Sequence, residues 1–174
     1  TKPISIPVIK KIDISTLLLY LENSHAYYLK EIIPHIRKLF EQYTSSANLK
    51  AKEQLIRFFN QYIIEVEQHI GYEDQVVFPY ISHLYSSTSS KEESPVKSSY
   101  SIEEFEKRHD NIEEKLTDLK NLLIKYIPPA NDRYQRVRLL NELIALEEDL
   151  ANHGRIEDHI LIPIVRQLEN KISK

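Results

Sequence analysis

Residues suited to binding a metal recur along this sequence in two sets with the same internal spacing. In each half, a lone histidine is followed 44 residues later by a His-x-x-x-Glu motif, and the two sets lie 84 residues apart (109−25, 153−69 and 157−73): His25, His69 and Glu73, then His109, His153 and Glu157. Because residues four apart share one face of an α-helix, each motif can present an imidazole and a carboxylate to one point. Four histidines and two glutamates that converged would form a dinuclear metal site.

Two predicted turns allow the ligands of each half to reach the same height along the fold. The segments 45–48 and 128–132 read as turns, and the histidines of each half lie about 20 residues on either side of their turn. At about 1.5 Å rise per residue, the helix between the turn and each histidine is about 30 Å long in both arms of each hairpin. Two such hairpins about a pseudo-two-fold axis predict an all-α, antiparallel, up-and-down four-helix bundle with the six residues at one level.

The periodicity of apolar residues predicts four helices, over about 15–43, 49–84, 101–126 and 132–168. A capping-box pattern, Ser101-x-x-Glu104, opens the third. Residues 1–13 are expected to form an extended N-terminal arm or the remnant of a linker, and residues 14–174 the helical domain. The Ser-rich segment 86–100 is expected to be a mobile loop that joins the two halves.

Three prolines fall inside the predicted helices. Pro34 should kink the first helix, since proline removes one backbone hydrogen bond and crowds the preceding turn. Pro79 and Pro163 each follow a motif histidine, His69 and His153, by ten residues, so they extend the repeat. Each should bend its helix just beyond the motif glutamate.

Composition narrows the class of protein. With 174 residues and 41% hydrophobic content the chain can bury a core, and two glycines favour helices. A net charge of −3 without a long basic run gives no basis for nucleic-acid binding. No segment has the apolar length of a membrane span, so no membrane contact is expected, and a cytoplasmic location is the default. The absence of cysteine excludes disulfides and thiolate metal sites, and the absence of methionine suggests a piece of a longer protein.

The ligand types indicate the metal and the chemistry. Two histidines per ion and two carboxylates that bridge the ions leave open coordination positions, which oxygen, nitric oxide or peroxide can occupy. Imidazole and carboxylate together favour non-haem iron, with manganese or zinc as alternatives. The expected cofactor is a di-iron centre of the Fe–O–Fe type.

Two roles or locations are possible for each of several other polar residues in the chain. Glu65 and Asp149 each precede a motif histidine by four residues, and would either support the ligands and metal entry or lie on a solvated helix edge. Tyr28 and Tyr72 could donate a hydrogen bond to a bound diatomic molecule, with core packing as the simpler role. Three further histidines lack counterparts at the 84-residue offset and are expected at the surface or behind the ligands: His35, His83 and His159.

These motifs resemble a known family. The segments Ser24–Tyr28, His69–Pro79, Arg108–Asp110 and His153–Pro163 are similar to the hemerythrin-like cation-binding domain, and within it to the repair-of-iron-centres proteins, which are also called iron–sulfur cluster repair di-iron proteins. The resemblance covers roughly residues 14–170. It implies that a non-haem di-iron centre is held by the six residues of the repeat: His25, His69, His109, His153, Glu73 and Glu157. The additional His-x-x-x-His element of oxygen-carrying hemerythrins is missing here.

The resemblance implies three classes of function. The first is iron–sulfur cluster repair in nitrosative or oxidative stress, in which iron binds oxygen or nitric oxide, or is handed to damaged iron–sulfur proteins. The repair proteins often carry an N-terminal domain with a cysteine pair, which this chain lacks. The second is an oxygen- or nitric-oxide-sensing module of a larger regulatory protein. The third is a di-iron peroxidase or nitric oxide reductase.

Overall fold

Helices make up nearly all of the chain that the computed structural model describes, which is residues 13–46, 52–89, 100–108, 112–126 and 133–172. Eight α-helices and three five-residue π-helical segments occur in these ranges, and no strand does. In chain order they are α1 (Ile14–Tyr27), π1 (Tyr28–Ile32), α2 (Ile33–Ser46), α3 (Lys52–Tyr72), π2 (Glu73–Val77), α4 (Phe78–Ser89), α5 (Ile102–Arg108), α6 (Ile112–Tyr126), α7 (Arg133–Ile156), π3 (Glu157–Leu161) and α8 (Ile162–Ile172). The prediction of an all-α chain is confirmed.

Each π-helical segment ends two residues before a proline, at Pro34, Pro79 and Pro163. The residue directly before each proline donates its N–H to the carbonyl oxygen five residues earlier; these carbonyls belong to Tyr28, Glu73 and Glu157. A proline ring crowds the carbonyl four residues before it, and a wider π turn relieves that crowding. The irregularity predicted at the prolines is therefore a π turn upstream of each one, and two of these turns begin at the motif glutamates.

Side-chain carboxylates fix the start of two helices. Asp13 accepts hydrogen bonds at one carboxylate oxygen from the backbone N–H of Thr16 at 3.0 Å and from its hydroxyl at 2.6 Å. These bonds satisfy an otherwise unbonded amide in the first turn of α1 and lower the pKa of Asp13. The first amide of α5, from Ile102, donates to Glu169 Oε1 at 2.8 Å. The start of α5 directly after Ser101 agrees with the predicted capping position.

The helical segments form two compact units. Among the described residues, the first comprises 13–24, 70–89, 100–108 and 152–172. Its core is an apolar cluster contributed by α1, π2, α4, α5, π3 and α8, in which α8 packs against α4 and α5. Val77 and Leu161, which occupy equivalent positions in π2 and π3, are both fully buried in this cluster. The π turns are thus covered by apolar side chains.

The second unit comprises the described residues 25–46, 52–69, 112–126 and 133–151. Phe40 of α2 and Phe59 of α3 stack almost parallel, with ring centroids 3.9 Å apart, and both rings are buried. Polar contacts surround this core: Lys115 of α6 pairs with Glu65 of α3 at 2.9 Å, and Lys120 pairs with Glu147 of α7.

Several predicted boundaries differ from the observed ones. The second helix was expected to end near residue 84, with a loop from 86, but α4 continues to Ser89. The loop prediction is therefore wrong for residues 86–89, where Ser86 and Ser87 donate to carbonyls four residues back and so continue the helix. The turn predicted at 45–48 is wrong for Ser45 and Ser46, which belong to α2. The rest of that turn, all of the turn predicted at 128–132, loop residues 90–99 and arm residues 1–12 lie outside the described residues. No described helix is long and apolar enough to span a membrane.

Candidate metal centre

Four of the six predicted ligands are contributed by three stretches of helix. His25 lies near the end of α1, and Glu73 is the first residue of π2. His153 lies in the last turn of α7, and Glu157 is the first residue of π3. Both glutamates thus stand where an α-helix changes into a π turn, a feature that often marks functional sites.

The four side chains converge on one point. One ligand atom from each of them lies within 4.8 Å of all the others, and all four residues are buried: His25, Glu73, His153 and Glu157. Glu73 is fully inaccessible, and Glu157 and His25 are each 1% exposed. Within the second motif, His153 Nε2 lies 3.3 Å from Glu157 Oε1, so the i and i+4 residues face the same point as the motif predicts.

This donor set fits a metal cation. Two carboxylates withdrawn from water and placed this close together repel one another, and burying such charges is costly unless a positive charge accompanies them. A divalent cation supplies that charge, and the mixture of imidazole and carboxylate suits iron, manganese or zinc. The arrangement can therefore hold an ion between two imidazoles and two carboxylates in a largely dry environment.

Two predicted ligands are not part of this group. His69 is partly buried on α3, four residues before Glu73, and is not among the four residues whose ligand atoms lie within 4.8 Å of one another. His109 lies outside the described residues. The assignment of both histidines to the site stays a prediction.

Comparison with known families agrees with this geometry. The family model described as the hemerythrin HHE cation-binding domain matches residues 27–165, well over half of the chain. The chain belongs to the hemerythrin family. Comparisons with curated proteins and with solved structures gave no match. Membership agrees with the buried His and Glu cluster in indicating that this hemerythrin domain binds a metal.

Glu65 and Asp149 have other contacts in this hemerythrin domain. Glu65 binds Lys115 through one oxygen and accepts from Gln61 Nε2 at 3.1 Å through the other. The hydrogen bonds from Lys115 and Gln61 lower the pKa of Glu65. The Asp149 side chain is exposed, and its backbone carbonyl accepts from the Tyr28 hydroxyl at 3.3 Å. The helix-edge reading suits both residues better than a role behind the ligands.

The other residues singled out by sequence differ in their exposure and in their contacts. Tyr72 donates its hydroxyl to that of Tyr100 at 3.1 Å. His83 and His159 are exposed, as expected for surface histidines. His35 is partly exposed, with Nε2 3.7 Å from Glu142 Oε1.

Sequence reasoning missed a second polar group, formed by Tyr80, Tyr100 and Glu169. Tyr80 lies on α4, and its hydroxyl donates to Glu169 Oε1 on α8 at 2.6 Å. A contact across 89 residues leaves no spacing pattern, and neither tyrosine stands in a motif. The one available signal was the number of tyrosines, 11 in a chain without tryptophan.

Proposed function

We propose that this chain holds a dinuclear non-haem iron centre and acts as a stress-response protein of the iron–sulfur cluster repair type. The observation that carries the proposal is the buried group of two imidazoles and two carboxylates. These four ligands would surround one ion. Each glutamate has a second carboxylate oxygen, which can bind a neighbouring ion.

The second ion would take its imidazoles from His69 and His109. His69 and Glu73 belong to one motif, just as His153 and Glu157 belong to the other, so the 84-residue repeat supports a second half-site. The π turns support the same symmetry, because π2 and π3 begin at equivalent glutamates and precede equivalent prolines. On this repeat we also base an antiparallel, up-and-down four-helix bundle with pseudo-two-fold symmetry.

Open positions on the ions would make the site reactive. Six protein ligands shared by two ions leave coordination positions for nitric oxide, oxygen or peroxide. The iron would supply reversible binding of these small molecules and one-electron chemistry. The chain would hold the ions in a site that excludes bulk water, since the four converging side chains are buried.

Repair and sensing make different predictions for one experiment. Protein loaded with ferrous iron without oxygen is incubated with a purified enzyme whose iron–sulfur cluster has been damaged by nitric oxide, and recovery of that enzyme is compared with recovery in the same concentration of free ferrous iron. Faster recovery with the protein is expected. Recovery no faster than with free iron refutes repair, and a reversible optical response to nitric oxide in the same sample would then favour sensing.

Two variants distinguish a loss of the metal site from the nonspecific effects of a substitution. Glu157→Ala removes a buried carboxylate of the site and should abolish both iron loading and recovery. His83→Ala changes an exposed histidine and should leave both unaltered. Equal recovery with Glu157→Ala and with the unmodified chain would show that the cluster does not carry the activity.

A further inference from the structure

Three tyrosines and a glutamate form a connected group in the first compact unit. The Tyr72 hydroxyl donates to the Tyr100 hydroxyl at 3.1 Å, and the Tyr100 and Tyr80 rings meet edge to face with centroids 5.0 Å apart. Tyr80 then donates to Glu169 Oε1 at 2.6 Å. All three rings are partly buried against the apolar core. One end of the group is Tyr72, which directly precedes Glu73 of the metal centre.

The hydrogen bond from Tyr80 to Glu169 places a proton acceptor beside the phenol. Glu169 Oε1 is held in position by a second donor, the Ile102 amide at 2.8 Å. Burial of the Tyr80 ring, together with the hydrogen bond to Glu169 and its charge, raises the pKa of Tyr80. Tyr80 therefore keeps its proton at neutral pH, beside a carboxylate that can accept it.

We propose that Tyr80 is a redox-active tyrosine that gives up one electron toward the metal centre through Tyr100 and Tyr72 while its proton passes to Glu169. A phenol loses an electron far more readily when a base takes its proton in the same event. Tyr80 has such a base within hydrogen-bonding distance, and each step from Tyr80 back to Tyr72 is a ring contact or a hydrogen bond. The proposal goes beyond the function given above and rests on it for iron at the site.

The oxidant in this proposal is hydrogen peroxide, which would be reduced at the metal centre with an electron from Tyr80. Its conversion to two molecules of water takes two electrons and two protons. With a single ferrous ion at the site, one electron would come from its oxidation to ferric iron and Tyr80 would supply the other. Tyr80 becomes a neutral tyrosyl radical, Glu169 becomes a carboxylic acid, and both protons that enter the water come from solvent. The oxidising equivalent is then spent at Tyr80 and not on the histidines of the site.

The test uses the full chain, loaded with one equivalent of ferrous iron without oxygen, mixed with hydrogen peroxide and frozen within a second. Electron paramagnetic resonance then measures the tyrosyl radical, and iron content is determined on the same sample. Tyr80→Phe removes the phenol, and Glu169→Gln keeps an oxygen that can accept the hydrogen bond but cannot take the proton at neutral pH. Tyr134→Phe, at an exposed position on α7, is the matched control. Circular dichroism checks that each variant folds.

The unmodified chain and the Tyr134→Phe control should give equal radical signals. Tyr80→Phe and Glu169→Gln should each lower the yield about tenfold or more, since loss of a positioned proton acceptor slows proton transfer by at least that order. Iron-loaded protein without a radical, or undiminished radical in both variants, would overturn the proposal and leave the iron site standing. Failure to take up iron would instead count against the proposed function.

Discussion

Replacing Glu73 with glutamine should have opposite effects on the stability of the metal-free and the iron-loaded protein. In the metal-free protein Glu73 and Glu157 are buried carboxylates whose ligand atoms lie within 4.8 Å of one another. Glutamine keeps the shape of the side chain and removes one of the two charges. The metal-free variant should therefore be more stable than the unmodified chain.

The magnitude follows from the distance between the two groups. The ligand atoms lie within 4.8 Å of one another, and two unit charges at that upper limit repel by about 3.5 kcal/mol at an effective dielectric constant of 20. The neighbouring imidazoles offset part of this repulsion and burial of the new amide has a cost of its own, so we expect a net gain of about 1–2 kcal/mol. For a chain of this size such a gain raises the melting temperature by about 2–8 °C.

Iron reverses the order of stability. At a free iron concentration of about 100 times Kd, binding stabilises the unmodified chain by about 2.7 kcal/mol. If the substitution weakens binding by about 100-fold, the same iron concentration stabilises the variant by only about 0.4 kcal/mol. Thermal unfolding followed by circular dichroism, with and without ferrous iron under nitrogen, measures both effects.

This experiment has a matched control variant and two outcomes that would refute the reasoning. Glu148→Gln removes an exposed carboxylate from α7 and should change neither the metal-free melting temperature nor its response to iron. Metal-free Glu73→Gln that melts below the unmodified chain would refute the argument from charge repulsion. An unchanged iron response would refute the assignment of Glu73 as a ligand.

Three further predictions concern the core, the surface charges and the histidines. Phe59→Ala should cost about 3–5 kcal/mol in urea unfolding, because it empties a buried position stacked on Phe40; a cost below 1 kcal/mol would show that the stack collapses without loss. Glu65→Gln should destabilise at pH 7 by about 0.5 kcal/mol. Because the hydrogen bond from Lys115 lowers the pKa of Glu65 below its ordinary 4.5, that stability is present above this value and is lost as pH falls through the lowered value; a difference from the unmodified chain that stays constant down to pH 3 would contradict the cause. His83→Ala should retain full iron content by elemental analysis, and loss of iron would mean that the wrong histidines were chosen.

Helix positions were predictable because apolar periodicity and capping residues are local signals. Described helices lie within each of the four predicted helical ranges, and α5 starts directly after the expected Ser101. The ends were less predictable, since serines such as Ser86 and Ser87 suggest a loop by composition yet hydrogen-bond back to carbonyls and extend α4.

The two-residue motifs predicted part of the site because their spacing matches the helical repeat. His153 and Glu157 face one another as the i and i+4 rule requires. No sequence pattern indicated that Glu73 and Glu157 begin π turns, although the prolines two residues beyond those turns indicated a local irregularity. Long-range pairs such as Glu65 with Lys115 and Tyr80 with Glu169 depend on tertiary packing, which spacing along one chain does not encode.

Anomalous diffraction at the iron edge, from crystals of the iron-loaded protein, would locate each bound ion. We expect one iron peak among His25, Glu73, His153 and Glu157, and a second nearby that shares the two carboxylates and is bound by His69 and His109. Iron bound elsewhere, or no iron at these four residues in crystals that contain it, would contradict the site. A single peak at the four residues would contradict the dinuclear centre.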